Sequence, residues 1–466
     1  MDSETQMHKN IRMPLHGFDD FLSAVSEDKM TELIDDILRK YTDPKTGSFH
    51  GVSFIAIDSK GNDLYRRSFG SRTVDRSKDD PLTLDTLSWI ASQTKLTASI
   101  SVLQIVEKGL VGLDDDVREI IPQLKEQKVL LGFEGDDEVK PQDSGNMRSI
   151  LSGGGAGDTA AEQPIGKPIF EDIKGKITLR QLLSHSNGLP YDIGHPLIVK
   201  YSKWAKREDN MFSGKIEGSI HPLVYQPGTS WAYGPGLDIA GKVVEILTGK
   251  DLDEYEQENI WGPLGAKSTS FRPVKHFAPN GLPPMQEMAY YNPEKDGIVA
   301  GESVWKLEPR DAIGGAGLYS TANDYIRLLS ALLRGGAPLL SKESVDLLFS
   351  PQLGEESVRA LRKFLIGETV EMSLSRWYAA SDEEFASIQE IQHCLAGCLS
   401  TEDVPGRRKK GTVNWGGLPN LSWWVDRESG IAATIFTQLM PPGDKHVRLL
   451  GIELEEALYK LAKEQN

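Results

Sequence analysis

Ser92-Gln93-Thr94-Lys95, running directly into Leu96-Thr97-Ala98-Ser99-Ile100-Ser101-Val102-Leu103, is the stretch from which the rest of the chain is read. The pattern predicts a helix that opens at Ser92 and stops at Gly109, with Leu96, Ile100, Leu103, Val106 and Leu110 as one apolar stripe. Ser92 and Lys95 are three residues apart and share a helix face. A hydroxyl at a helix N-terminus lies among unpaired N–H groups at the positive end of the helix dipole. A lysine one turn on can relay its proton, so the tetrad has the form of an activated serine nucleophile. S-x-x-K recurs at Ser26…Lys29 and Ser303…Lys306, so the surroundings of Ser92 decide its meaning.

Upstream, Phe18, Phe21, Leu22 and Val25, then Leu33, Ile34, Ile37 and Leu38, recur at helical spacing over 17–41. Gly51 to Asp58 and Leu64 to Gly70, joined by Ser59-Lys60-Gly61-Asn62, read as a β-hairpin. Downstream, Leu113 to Ile121 reads as a short helix. Residues 134–168 combine an acidic run with Gly153-Gly154-Gly155 and read as a flexible insertion. Thr178 and Gln181 form a capping box that opens a helix ending at Asn187-Gly188. Further helices are expected over Leu237 to Leu247 and from Thr321 to Gly335-Gly336. Strand patterns return at Gly411 to Trp415, Leu421 to Asp426 and Ile431 to Thr437, before a last helix from His446 to Ala462.

Strands at both ends with helices between predict an α+β fold. Its antiparallel sheet draws on N- and C-terminal strands and is flanked by the terminal helices. The expected division is an α/β part, 17–110 with 405–466, and a mostly helical part, 111–404. The ligand cleft would lie between them.

The composition narrows function. Of 466 residues, 39% are apolar and 26% charged, as in an ordinary globular protein, and the formal net charge of −16 disfavours nucleic acid. No run of 18 apolar residues predicts a membrane span, and Met1 to Gln6 has no signal-like pattern, so a cytoplasmic location is expected. The two cysteines, Cys394 and Cys398, stand at helical i, i+4 spacing beside His393 and read as reduced, structural thiols rather than metal ligands. G-x-S-x-G, H-E-x-x-H and the P-loop pattern are absent. No metal or other cofactor is implied.

A serine nucleophile needs a base and an oxyanion hole. Tyr233 lies between the Pro227-Gly228 turn and Gly234-Pro235-Gly236, ahead of a helix. A tyrosine so placed ordinarily packs; beside an S-x-x-K serine it can serve as the base. Trp415-Gly416-Gly417-Leu418 lies at a strand end, where two glycines admit a substrate close to the backbone. The N–H groups of Leu418 and Ser92 could form the oxyanion hole, and an ordinary strand-end turn is the alternative.

Ser92-x-x-Lys95, Tyr233 and the Gly-Gly strand edge, in this order, resemble the serine β-lactamase-related superfamily, in its class C and esterase branch. Leu110 to Asp115, Leu182 to Leu189, Pro227-Gly228-Thr229, Tyr233 to Asp238 and Gly314 to Thr321 carry the same resemblance. It spans about residues 50–440. Two departures stand out. The family's Lys-Thr-Gly, which holds the β-lactam carboxylate, is replaced by Trp415-Gly416-Gly417, and its Tyr-x-Asn by Tyr233-Gly234-Pro235. Both argue against β-lactam hydrolysis. Gly411 to Asn420 followed by Trp423 to Asp426 is similar to the fungal transesterases of the lovastatin acyltransferase group.

The resemblance implies that Ser92 is acylated, that Lys95 and Tyr233 relay protons, that the Ser92 and Leu418 N–H groups hold the oxyanion, and that Trp415, Gly416 and Gly417 border the substrate. His185, also in a family motif, reads as structural. The expected reaction moves an acyl group from a thioester to a small alcohol of secondary metabolism. Hydrolysis of small esters is the alternative, and an inactive binding protein would lack the intact Ser92, Lys95 and Tyr233. Arg407-Arg408-Lys409-Lys410 reads as a solvated loop or as a docking patch for an acidic acyl-carrier domain.

Overall fold

The computed structural model describes residues 27–136, 165–294, 297–366 and 391–464. Helix α1 (Glu27–Thr42) buries Met30, Ile34 and Leu38; the part of the expected helix before residue 27 lies outside the described residues. The hairpin follows as predicted, with β1 (Gly51–Asp58) and β2 (Asp63–Gly70). Helix α2 (Thr94–Glu107) carries Lys95. It is followed by β3 (Val129–Phe133), β4 (Pro168–Glu171), α3 (Leu179–Leu183), α4 (Gly236–Thr248) and α5 (Ala322–Leu333). The C-terminal region supplies β5 (Ile391–His393), β6 (Cys398–Ser400), β7 (Val413–Gly417), β8 (Leu421–Asp426), β9 (Ile431–Phe436) and α6 (Lys445–Glu464).

The expected union of N- and C-terminal strands is present. One seven-stranded antiparallel sheet runs β2-β1-β9-β8-β7-β6-β5. In its centre Ile55 faces Thr434, and Trp423 faces both Thr434 and Trp415. Alternation along the strands divides the core. Phe54, Ala56, Trp424, Ala433 and Ile435 meet the terminal helices α1 and α6. Ile55, Ile57, Trp423, Val425 and Phe436 meet the core that holds α2, α4 and α5. At ~1.5–3 kcal/mol for each large apolar side chain fully buried, this second core clamps α2 in place. The chain is thus α+β, with the terminal helices packed on one face of the sheet and the core that holds α2, α4 and α5 on the other.

The helix termini obey their local chemistry. Thr178 and Gln181 form the reciprocal capping box. Thr321 caps α5 by accepting the Asp324 N–H. Gly249 ends α4 in the left-handed conformation, φ 69°.

Several expectations need correction. Helix α2 is buried on every side from Thr94 to Ile105, rather than along one stripe, because it runs through the middle of the core. Leu110 falls beyond Gly109 and is 47% exposed. The segment after Leu113 forms two 3₁₀ turns, Val117–Glu119 and Pro122–Leu124, in place of one helix. The Asp116 side chain caps the first, and Pro122, which has no N–H, begins the second. Most of the expected insertion, 137–164, lies outside the described residues; the residues flanking it pair as β3 and β4. Cys394 and Cys398 are not on a helix. They belong to the β5–β6 hairpin, where the Cys394 N–H and thiol both donate to Gly397 O.

The basic run at 407–410 is neither a solvated loop nor a four-residue docking patch. Arg407 and Arg408 are buried against Glu455 of α6, each donating to its carboxylate at 2.6 Å. Lys409 pairs with Asp403. Burial raises the Glu455 pKa, but Arg408 and Arg407 outweigh it and hold the carboxyl at about 2. No helix of the described residues is long and apolar enough to cross a membrane.

Candidate active site

Ser92 lies in a 3₁₀ turn, Ala91–Gln93, that leads into α2 rather than on the α-helix itself. Ala91 has φ 46°, an unfavourable conformation for a residue with a Cβ and one that recurs where a site is held by its surroundings. Tyr325 of α5 donates to Gln93 O at 3.0 Å and pins the turn from behind.

The structure brings together the three residues expected to carry the chemistry. Tyr233 OH donates to Ser92 Oγ at 2.7 Å. Lys95 Nζ donates to Ser92 Oγ at 3.1 Å and lies 4.8 Å from the centre of the Tyr233 ring. The other two Lys95 donations go to Tyr191 OH at 2.9 Å and Gly315 O at 2.5 Å. All three ammonium protons are therefore directed, although the side chain is almost fully buried.

Sequence reasoning missed Tyr191, Gly315 and Asp238. Asp238, near the start of α4, accepts the Gly315 N–H at 2.7 Å and the Ser219 hydroxyl at 2.8 Å. Gly315 thus links the two charges, giving its N–H to Asp238 and its carbonyl to Lys95. A Cβ on Gly315 would meet Asp238 Oδ1 at 2.2 Å, so only glycine permits this approach. Burial raises the Asp238 pKa to about 6, against the pull of Lys95 and the two hydrogen bonds. Burial, and after it the neighbouring Asp238, drives the Tyr191 phenol well above the usual range, so it stays protonated. The available signal was the loop Gly188-Leu189-Pro190-Tyr191, which places a tyrosine among turn residues as Tyr233 is placed. The backbone couples the two loops: Tyr191 N–H donates to Tyr233 O at 3.1 Å.

His185 is a packing residue, as expected. It is buried with φ 59°, edge-on to Tyr233 with ring centres 4.8 Å apart, and its Nδ1 accepts the Gly234 N–H at 3.4 Å. Burial, with His393 and Lys95 close by, holds it neutral. Burial likewise lowers His393 to about 4. Among the described residues neither histidine has a carboxylate on its ring that would make it a proton carrier here.

Trp415 of β7 completes the wall, with its indole N–H directed at Tyr233 OH at 3.4 Å. Gly416, Gly417 and Leu418 border the same cleft as Ser92. A Cβ on Gly417 would meet Ile90 O at 2.4 Å, so the missing side chain is what lets β7 lie against the segment entering Ser92. Asn420, at φ 64°, holds the turn beyond: its amide donates to Leu439 O and Pro441 O at 2.7 and 2.9 Å, and its oxygen accepts the Gly443 N–H. The cleft in front of Ser92 has a volume of about 120 Å³ and is walled mainly by apolar groups, among them Trp89, Phe212, Phe364 and Leu421.

A buried lysine in contact with a partly exposed serine that also meets a tyrosine, at the floor of a largely apolar cleft, suits covalent acyl chemistry on an uncharged carbonyl. Comparison with known proteins agrees. The beta-lactamase family model matches residues 34–457. Monacolin J acid methylbutanoyltransferase of Aspergillus terreus is 32% identical over 428 residues, covering 89% of this chain and 92% of that protein. Lovastatin esterase of Penicillium rubens is 32% identical, covering 86% and 91%. A simvastatin synthase structure from Aspergillus terreus, the LovD6 mutant, superposes with a TM-score of 0.77 at 31% identity, covering 95% of this chain and 99% of that one. The chain belongs to the beta-lactamase family, and within it is an enzyme of the acyltransferase and esterase kind.

Proposed function

We propose that this enzyme moves an acyl group from a thioester to a small alcohol through an acyl-Ser92 intermediate. The observation that carries the reading is the contact of Ser92 Oγ with both Tyr233 OH and Lys95 Nζ at the floor of an apolar cleft. In the first half-reaction Ser92 Oγ bonds to the thioester carbonyl, and the Lys95–Tyr233 pair, acting in the form that has already lost one proton, takes the serine proton. Collapse of the tetrahedral adduct breaks the carbon–sulfur bond, and the thiol leaves with that proton. In the second half the alcohol oxygen attacks the acyl-serine and passes its proton to the same pair, which returns it to Ser92. The Ser92 and Leu418 N–H groups are the oxyanion donors, and Trp415 borders the acyl and acceptor space. No cofactor takes part in these steps.

Transfer is favoured over hydrolysis because an apolar cleft admits an organic alcohol while limiting water. A relative that acts on monacolin J acid makes a secondary-metabolite alcohol a suitable acceptor class. Water as acceptor is the second reading, supported by the equally similar lovastatin esterase. Intact-mass spectrometry after mixing the protein with a short-chain acyl thioester tests both. The acyl adduct should appear on the parent and not on Ser92→Ala. Its decay should quicken when monacolin J acid is added. Decay at the same rate in water alone would select the esterase, and no Ser92-dependent adduct would end the proposal.

A further inference from the structure

A second cavity, with a volume of about 550 Å³, lies behind the helix that pins the nucleophile turn. It shares no lining residue with the Ser92 cleft. Asn323, Ile326, Arg327 and Ser330 of α5, with Arg334 at its C-terminal cap, form one wall. At about 3.6 residues per turn they occupy the face opposite Tyr325, whose hydroxyl holds Gln93 O. The turn of the β1–β2 hairpin, with Gly61 and Asp63, and the loop at Pro263-Leu264 border the other sides. A Cβ on Gly61 would lie 3.4 Å from Ser330 Oγ and 3.9 Å from Arg334 Cζ, so the hairpin turn reaches the helix itself.

The charged residues that line this cavity are Asp63, Arg66, Arg327 and Arg334. Asp63 pairs with Arg66 at 2.7 Å, and Arg66 also donates to Asn323 Oδ1 at 2.6 Å. Arg327 and Arg334 are exposed and form no ion pair among the described residues. Arg327 Nη1 donates to Leu264 O at 3.3 Å, and Arg334 Nε to Ser330 O at 3.4 Å. A guanidinium has five N–H donors, so most of each fork stays open to a ligand. Asp324 lies within electrostatic reach of Arg327, but its carboxylate is buried and accepts the Ser268 N–H at 2.5 Å and the Thr269 hydroxyl at 3.2 Å. Three guanidinium groups against one lining carboxylate leave two positive charges here, in a chain of net charge −16. Such a local reversal of sign attracts an anion.

Two helical turns, about 10.5 Å along the axis, separate Arg327 from Arg334. Their long side chains can close on one phosphate above Ser330, and the planar forks match its oxygens. Asp63 and Ser330 offer oxygens that suit hydroxyl groups, while Ile57, Leu264 and Ile326 supply an apolar floor. No aromatic side chain lines the cavity among the described residues, so a nucleobase would lack a stacking surface. The volume suits a metabolite rather than a lone ion. We propose that this cavity binds a sugar phosphate, its phosphate held by Arg327 and Arg334 and its hydroxyls by Asp63 and Ser330. The site stands independently of the acyl-Ser92 reading.

Isothermal titration of the full-length protein at fixed ionic strength tests the site, with ribose 5-phosphate, ribose and inorganic phosphate as probes. Ribose 5-phosphate should bind about tenfold or more tighter than ribose, the yield of charge-assisted hydrogen bonds to the phosphate. Arg327→Gln and Arg334→Gln should each weaken it about fivefold or more, and the double variant should bring the two sugars within about twofold. Ser330→Glu places a carboxylate one turn from each arginine and should weaken ribose 5-phosphate as much while keeping both guanidinium groups. It decides the matter should the double variant lose the circular dichroism of the fold. Acylation of Ser92 should stay within about twofold of the parent in each folded variant, since none of these residues borders the Ser92 cleft. No saturable binding by the parent, equal affinity for ribose and ribose 5-phosphate, or a preference that survives the double variant and Ser330→Glu overturns the site. Inorganic phosphate bound as tightly as ribose 5-phosphate would keep the arginine pair as a phosphate site and overturn the sugar phosphate as its ligand.

Discussion

The Lys95 ammonium and the Tyr191 phenol are 2.9 Å apart inside the protein, so the lysine in contact with Ser92 is held by a second tyrosine as well as facing Tyr233. Tyr191 stays protonated because it is buried and close to Asp238, and its oxygen is free to accept a lysine proton. Lys95 is thereby aimed from three directions, by Ser92, Tyr191 and Gly315. Such prior orientation avoids reorganisation during proton transfer.

Tyr191→Phe keeps the ring and removes that acceptor. A Lys95 proton is then left undirected, and the rate of Ser92 acylation should fall about 10²-fold with the fold intact. The measurement is the burst of p-nitrophenol from a short-chain ester. Tyr233→Phe should cost more, about 10³-fold, because it removes an oxygen in direct contact with Ser92. Equal losses would mean that Tyr191 acts on Ser92 directly rather than through Lys95.

Asp238→Asn separates stability from activity. The folded pKa of about 6 lies above the ordinary 3.8, so the fold binds this proton more tightly than the unfolded chain does. Stability from Asp238 is complete below about 3.8 and is lost as pH rises through about 6. At pH 8 the asparagine variant should therefore be more stable by roughly 2–3 kcal/mol, with the gap closing below pH 4. Its activity should drop, since Lys95 loses its counter-charge, and the acidic limb near pH 6 in kcat/KM should disappear. Denaturant melts at pH 8 and pH 4 and a pH–rate profile read the two effects. A variant less stable at pH 8 would show that the ionised carboxylate supports the fold.

Gly315→Ala introduces a Cβ 2.2 Å from Asp238 Oδ1 and 3.2 Å from Tyr191 OH. The overpacking should destabilise the protein by about 1–3 kcal/mol and push the Gly315 carbonyl away from Lys95. Activity should fall more steeply than the folded fraction, as a thermal melt set beside a rate assay will show. Activity that tracks the folded fraction would make Gly315 a packing residue only.

Glu455→Gln tests the ion cluster beneath the sheet. Removing the charge leaves Arg407 and Arg408 buried without their carboxylate, a loss of about 3–5 kcal/mol in a denaturant melt. The Glu455 pKa is lowered from 4.5 to about 2, so its contribution is present above 4.5 and lost as pH falls toward 2. The parent should therefore lose stability over that window while the variant changes less. Acylation of Ser92 in the folded fraction should be unchanged.

Local chemistry legible in the sequence determined much of this protein. A short apolar, β-branched run bounded by turn residues marked the strand Gly51–Asp58 of the first hairpin, the Thr178–Gln181 capping box started its helix, and the strands around Trp415 and Trp423 were read in place. The serine, lysine and tyrosine stood out because an S-x-x-K helix start, a tyrosine between turns and a Gly-Gly strand edge each leave a compact local mark. What the tertiary structure decided depends on contacts between distant segments. Tyr191 and Gly315 reach Lys95 across 96 and 220 positions, and no local pattern encodes such a meeting. Arg407 and Arg408 read as surface charge until Glu455, 48 and 47 positions later, buried and neutralised them. The i, i+4 spacing of Cys394 and Cys398 suited a helix until cross-strand pairing made a hairpin of it. Periodicity reports how a segment can bury one face, whereas partners for buried charge come from whichever elements the packed core sets side by side.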